Sequence, residues 1–128
     1  MTERFFLNVA EDLEVAGLVW HPEIGDEISE RKEPSKVSVL VDPQGMTPVE
    51  LRSFFIWLPS VEQMVLQFEA RQAIIFHMGL ELSENAFLYK TVVKSSIGPI
   101  ESAAQNLRSS VGLALRDLLI ASHGELVN

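Results

Sequence analysis

Ile74-Ile75-Phe76-His77-Met78-Gly79-Leu80-Glu81-Leu82 is the stretch on which the fold turns. Ile74, Phe76, Met78, Leu80 and Leu82 alternate with Ile75, His77, Gly79 and Glu81. A period of two predicts a strand with one buried face. Ser83-Glu84-Asn85 follows as a short polar turn, and a second alternating run, Phe87, Tyr89, Thr91 and Val93 against Leu88, Lys90, Val92 and Lys94, comes after it. Two such runs across a tight turn predict an antiparallel hairpin. The rival reading is a helix through Met78, ended by Gly79.

Upstream of this hairpin the period is helical. Thr47-Pro48-Val49-Glu50 is the strongest local signal in the chain. Thr47 can cap, Pro48 suits the first helical position, and Glu50 completes a capping box. Leu51, Phe54, Phe55 and Leu58 then predict a helix that Pro59 breaks or kinks. Ser60-Val61-Glu62-Gln63 is a second capping box, and Val61, Met64, Val65 and Phe68 carry a helix to about Arg71.

At the N-terminal end, a first helix is expected after Thr2, with Phe5, Phe6, Val9, Leu13 and Ala16 on one face. Glu3 suits its dipole, and Gly17 can close it in the left-handed conformation. Leu18–Pro22 is short and strand-like. Val37–Val41 is rich in β-branched residues and predicts a strand, ended by the turn residues of Asp42-Pro43-Gln44-Gly45. Between them, residues 27–36 are charged and allow either a polar edge strand or a loop. The last helix is expected from Gly98-Pro99 to about Ser122, with Ile100, Ala104, Leu107, Val111, Leu115 and Leu118 as its apolar stripe and Gly124 as its stop.

The pattern predicts one α+β domain over residues 1–128: helix, two or three strands, helix, antiparallel hairpin, helix, with an antiparallel sheet packed against helices. A chain of 128 residues with 47% hydrophobic and 22% charged side chains can bury a core and does not suit disorder. It contains no cysteine, which removes disulfides and zinc–thiolate sites. No stretch approaches the roughly 20 apolar residues that span a bilayer. Met1-Thr2-Glu3-Arg4-Phe5-Phe6 lacks the basic-then-apolar pattern of a signal peptide, so a cytoplasmic location is expected, without membrane association.

The net charge is −8 and it is uneven. Residues 1–50 carry 4 basic and 11 acidic side chains, whereas residues 51–128 carry 6 and 7. An acidic surface repels phosphates and argues against nucleic acid as a partner. It could attract a basic protein through the stretch from Glu11 to Glu33, or serve solubility alone.

Catalytic and metal-binding patterns are missing from the sequence. His21, His77 and His123 stand far apart, with no His pair at helical spacing. Glu23, Asp26 and Glu27 are oxygen donors around Gly25, but their spacing does not match a calcium loop. There is no nucleophile elbow, Walker loop or dinucleotide fingerprint. No catalytic residue, metal or cofactor is therefore expected. If a small-molecule pocket exists between sheet and helices, Tyr89, His77 and His21 are its polar candidates.

The apolar surplus says more. Phe54, Phe55 and Trp57 cover more than one helical face, and Leu113 and Ile120 point away from the stripe of the last helix. Such a surplus predicts an interface with a protein partner or a second copy, centred on Phe54, Phe55 and Trp57 with Leu113 and Ile120 secondary. The alternative is that an outer layer of the fold buries both sides.

The order of elements resembles the small secretion-chaperone fold of type III secretion chaperones and YbjN-type bacterial proteins. The pieces that carry the resemblance are the helix ending at Gly17, the strand Val37–Val41 with Asp42-Pro43, the capped helix from Thr47, the hairpin Ile74–Val93 and the helix Pro99–Ser122. Glu27–Lys36 departs from that pattern, being too polar for a hydrophobic strand. The resemblance implies a non-catalytic homodimer, joined through the middle helix, that holds an extended client segment on exposed strands and apolar patches.

Overall fold

A computed structural model describes residues 2–127, with side chains for residues 6–82 and 84–122. The expected cap at Thr2, the acidic Glu3 and the apolar Phe5 lie outside the described side chains. Helix α1 (Thr2–Val15) ends as the sequence predicts. Gly17 takes φ +109°, and the N–H groups of Gly17 and Leu18 donate to the carbonyls of Glu14 and Leu13 at 3.1 and 2.9 Å. This is the paired hydrogen bonding of a Schellman end.

Leu18–Pro22 forms no strand. Leu18 and Trp20 are buried, but no neighbouring segment offers that backbone a ladder. Instead β1 is Glu27–Glu30, within the polar stretch, and it pairs antiparallel with β2 (Val37–Val39). Helix α2 is short, Pro48–Phe54. Its capping box is complete: Glu50 N–H donates to Thr47 Oγ1 at 3.2 Å and Thr47 N–H to Glu50 Oε1 at 3.0 Å. The expected continuation to Leu58 is replaced by β3 (Phe55–Trp57), which pairs with β1. The run Phe54-Phe55-Ile56-Trp57-Leu58 is apolar at every position and compatible with either period. The open edge of β1 decides for a strand, in which Ile56 and Leu58 face the main core.

Pro59 and the capping box at Ser60 start α3 (Val61–Ala70), with Gln63 N–H donating to Ser60 Oγ and Ser60 N–H to Gln63 Oε1. The hairpin follows as β4 (Ile74–Ser83) and β5 (Ala86–Ser95). Glu84 and Asn85 form its two-residue loop at φ 47° and 69°, both left-handed as a tight hairpin with the strands' own twist requires. The helical alternative for this region does not occur.

The hairpin gains a third strand, β6 (Gly98–Ala104), where the sequence suggested the start of a helix. Pro99 and the alanines read as a helix start, but the free edge of β5 claims the segment. Pro99 is tolerated because β6 is an edge strand. The last helix, α4, therefore spans Leu107–Val127 and passes through Gly124 rather than stopping there. Asn106 caps it, accepting the Ser109 N–H on Oδ1 at 2.8 Å.

The outcome is an α+β fold with two three-stranded antiparallel sheets, ordered β2-β1-β3 and β4-β5-β6, packed with helices. The main core joins Phe6, Val9 and Leu13 of α1, Met64 and Phe68 of α3, Val93 of β5 and Val111, Leu115 and Leu118 of α4. A smaller core of Trp20, Ile28, Leu40 and Leu51 sits against the first sheet.

Candidate functional site

The hairpin contains a change of phase that the sequence conceals. Ile75 pairs with Val93, His77 with Val92, and Met78 with Thr91, so Phe76 is an extra residue in a β-bulge. Opposed residues share a face of a sheet, and successive residues alternate. Ile75, Met78, Leu80 and Leu82 therefore lie on one face, together with Phe87, Tyr89, Thr91 and Val93 of β5. Without the bulge, Ile75 would stand opposite to Met78.

α4 covers only one end of this face. Val93 and Thr91 are fully buried, and Thr91 Oγ1 lies 2.8 Å from Ser110 Oγ on the helix. Beyond Thr91 the hairpin outruns its helix. Met78, Leu80, Leu82 and Phe87 are 39, 53, 64 and 67% exposed. Burial of one face was the expectation for β4, and the structure leaves the distal part of that face open. The opposite face is mixed, with charged side chains set among Ile74, Leu88 and Val92. His77 Nε2 lies 3.0 Å from Glu81 Oε2 across the bare Gly79, and Lys90 is bound by Glu101 with Glu81 at 4.0 Å. The Glu101 carboxylate, first as a hydrogen-bond partner and then by its charge, raises the Lys90 pKa. One side of the hairpin thus displays paired charges among apolar neighbours and the other a continuous apolar surface.

The five residues expected at an interface do not converge. Phe54 is 52% exposed, and with Phe55 and Met46 it lines a groove of about 350 Å³ edged by Glu30 and Lys32. Phe55 and Trp57 pack against the smaller core, which accounts for much of the surplus that marked them. Leu113 is half-buried against the main core. Ile120, 56% exposed, stands on α4. The hairpin face was missed because its alternation promised burial. The signal that could have revealed it is length: the ten-residue strands extend well past Thr91, where the first turns of α4 meet them.

The polar candidates are also dispersed. His77 lies on the charged face of the hairpin and Tyr89, opposite Leu80, on the apolar one. His21 is in the loop after α1, where it borders a cleft with Trp57 and Gln67. Around Gly25 the carboxylates of Asp26 and Glu27 are structural. Asp26 is buried and accepts from Trp20 Nε1, Glu23 N–H and Gln63 Nε2 at 2.8, 2.9 and 2.7 Å. Glu27 binds Arg108 at 2.8 Å. Arg108 also donates to the carbonyls of Leu58 and Pro59 and lies 4.1 Å over the Phe6 ring. A cleft of about 510 Å³ opens beside Arg108 and Glu27, but both charges are already engaged with each other. Among the described residues no group of three His, Asp or Glu side chains could hold a metal ion.

The acidic half is partly neutralised from within. Glu14 takes a bidentate pair from Arg31 at 3.0 and 2.6 Å, and this hydrogen bonding raises the Arg31 pKa. Glu33 meets Lys36 at 3.1 Å. Among the described residues no helix is long and apolar enough to cross a membrane. No family model, curated protein or solved structure matches the chain.

Proposed function

We propose that this chain is a small acidic protein-binding domain of chaperone or adaptor type, acting as a homodimer in the cytoplasm and not as an enzyme. The apolar face of the hairpin carries this reading. Contiguous exposed apolar surface of this kind marks an interaction site on a folded protein. It is presented on a paired, rigid strand framework, which costs little entropy to hold ready. The groove of Met46, Phe54 and Phe55 offers a second, smaller apolar surface at the other sheet. An adaptor needs two such surfaces, one for its own assembly and one for a client. The order of elements read from the sequence, although β3 and β6 alter it, points to the same reading through its likeness to secretion chaperones.

The test is capture from the native lysate by the tagged full chain, compared with Phe54→Glu in the groove and Leu82→Asp on the hairpin. A protein retained by the wild-type chain and lost with a surface variant is the expected result. Identical capture by all three chains, or no protein retained by any of them, overturns the proposal.

A further inference from the structure

We infer that a second copy of this chain pairs with the free edge of the hairpin, β4 running antiparallel to β4 on a two-fold axis at Gly79. The inference rests on the protein-binding reading of the hairpin and names the partner at its edge.

Among the described residues, β4 pairs only with β5 and forms one edge of its sheet. Folded proteins usually blunt such edges with proline, lysine or short strands. The opposite edge, β6, is blunted: it has seven residues and includes Pro99 and Glu101. β4 has ten residues, no proline, no lysine and one acidic side chain, Glu81.

The hydrogen-bonding phase of that edge follows from the turn. Glu84-Asn85 is a two-residue loop, so Ser83 and Ala86 are the hydrogen-bonded pair that closes it. The ladder alternates from there. Gly79 turns its N–H and C=O toward β5, while Met78, Leu80 and Leu82 turn theirs outward. In a pairing centred on Gly79, Met78 meets Leu80 of the second copy and Leu80 meets its Met78. Those two pairs carry the new hydrogen bonds. The charged face is also self-complementary: His77 of each copy stands opposite Glu81 of the other, an imidazole N–H donor facing a carboxylate. Centred on Met78 the pairing would set Glu81 opposite Ile75 of the other copy, and centred on Leu80 it would set Glu81 opposite Gly79 and His77 opposite Ser83, losing the His77–Glu81 match.

Gly79 supports the same centre. Glycine inside a strand weakens it, and nothing in one copy requires it at this position. Its φ is not positive, and an added Cβ would meet only His77, with Cε1 at 3.7 Å, an ordinary contact. On the axis, Gly79 faces itself in a pair without hydrogen bonds, where backbones approach most closely. Across the axis the two apolar faces join into one, and Met78, Leu80 and Leu82 of each copy shield part of their exposed surface against the strand of the other.

The chain contains no cysteine, so cysteine placement reports the register directly. His77→Cys and Glu81→Cys are prepared separately as full chains and oxidised alone and mixed. Sedimentation of the wild-type chain should show a dimer. A disulfide-linked dimer should form in the mixture and in neither variant alone, because the facing positions differ. Leu80→Asp, its fold checked by circular dichroism, should weaken dimerisation by at least about tenfold. A wild-type monomer, or a dimer without selective cross-linking in the mixture, overturns the pairing. If the chain is monomeric yet still captures a partner lost with Leu82→Asp, the pairing fails while the protein-binding reading stands.

Discussion

Trp20 Nε1 donates a 2.8 Å hydrogen bond to Asp26 Oδ2, and both side chains are buried. Through the same carboxyl group, Asp26 holds the turn at Glu23 and the start of α3 at Gln63. Asp26→Ala strands the indole N–H and the Gln63 amide together. It should cost about 2–4 kcal/mol of stability, with Asp26→Asn costing less because it keeps one acceptor. Urea denaturation checks this, and an unchanged midpoint for Asp26→Ala would mean that its three hydrogen bonds do not hold the turn to α3.

At Gly112, α4 packs directly against α1. A Cβ there would lie 2.6 Å from Val9 Cγ1 and 3.4 Å from Phe6 Cε1. Val9 is buried and β-branched, so it has no flexible end to move aside. Gly112→Ala gains about 1 kcal/mol in helix propensity but overpacks a core contact, which costs about 1–3 kcal/mol. The net effect should be destabilising. Adding Val9→Ala should recover part of the loss, so the double-mutant cycle should show coupling that simple additivity would contradict.

Arg108 joins the first sheet and α1 to α4 by reaching Glu27, the carbonyls of Leu58 and Pro59 after β3, and the Phe6 ring. Its guanidinium donates in several directions at once, a geometry lysine cannot reproduce. Because the side chain is partly exposed, solvent reduces the value of the ion pair itself. Arg108→Lys and Arg108→Met should each destabilise by about 1–3 kcal/mol, chiefly through carbonyls left without donors. A thermal midpoint equal to that of the wild-type chain for Arg108→Lys would show that the forked geometry is dispensable.

The two capping boxes act on short helices, where each end counts for more. Thr47→Ala and Ser60→Ala should each cost about 1 kcal/mol. At Thr47 the backbone N–H, and then the side chain, holds the Glu50 pKa below its ordinary value. A depressed carboxylate stabilises the fold above the unfolded pKa and loses that contribution as pH falls through the folded one. The difference between wild type and Glu50→Gln should therefore be full near neutrality and shrink in the acid range. An NMR titration placing Glu50 at or above the usual carboxylate range would refute it.

Legibility in the sequence followed the range of the interaction. Gly17, Thr47, Ser60 and the Glu84-Asn85 turn were readable because each satisfies hydrogen bonds within a few residues of itself. Alternation in β4 and β5 and the spacing of Val111, Leu115 and Leu118 likewise fixed strand and helix locally, and with them the α+β class. Other choices needed distant partners. Phe55–Trp57 became a strand only because β1 offered an edge, and Gly98–Ala104 only because β5 did. The bulge at Phe76 decided which apolar residues share a face, and the reach of α4 decided which of them stay open. Local hydrogen bonds are written in neighbouring residues; ladder partners, bulges and the limits of a covering helix depend on where the rest of the chain comes to lie.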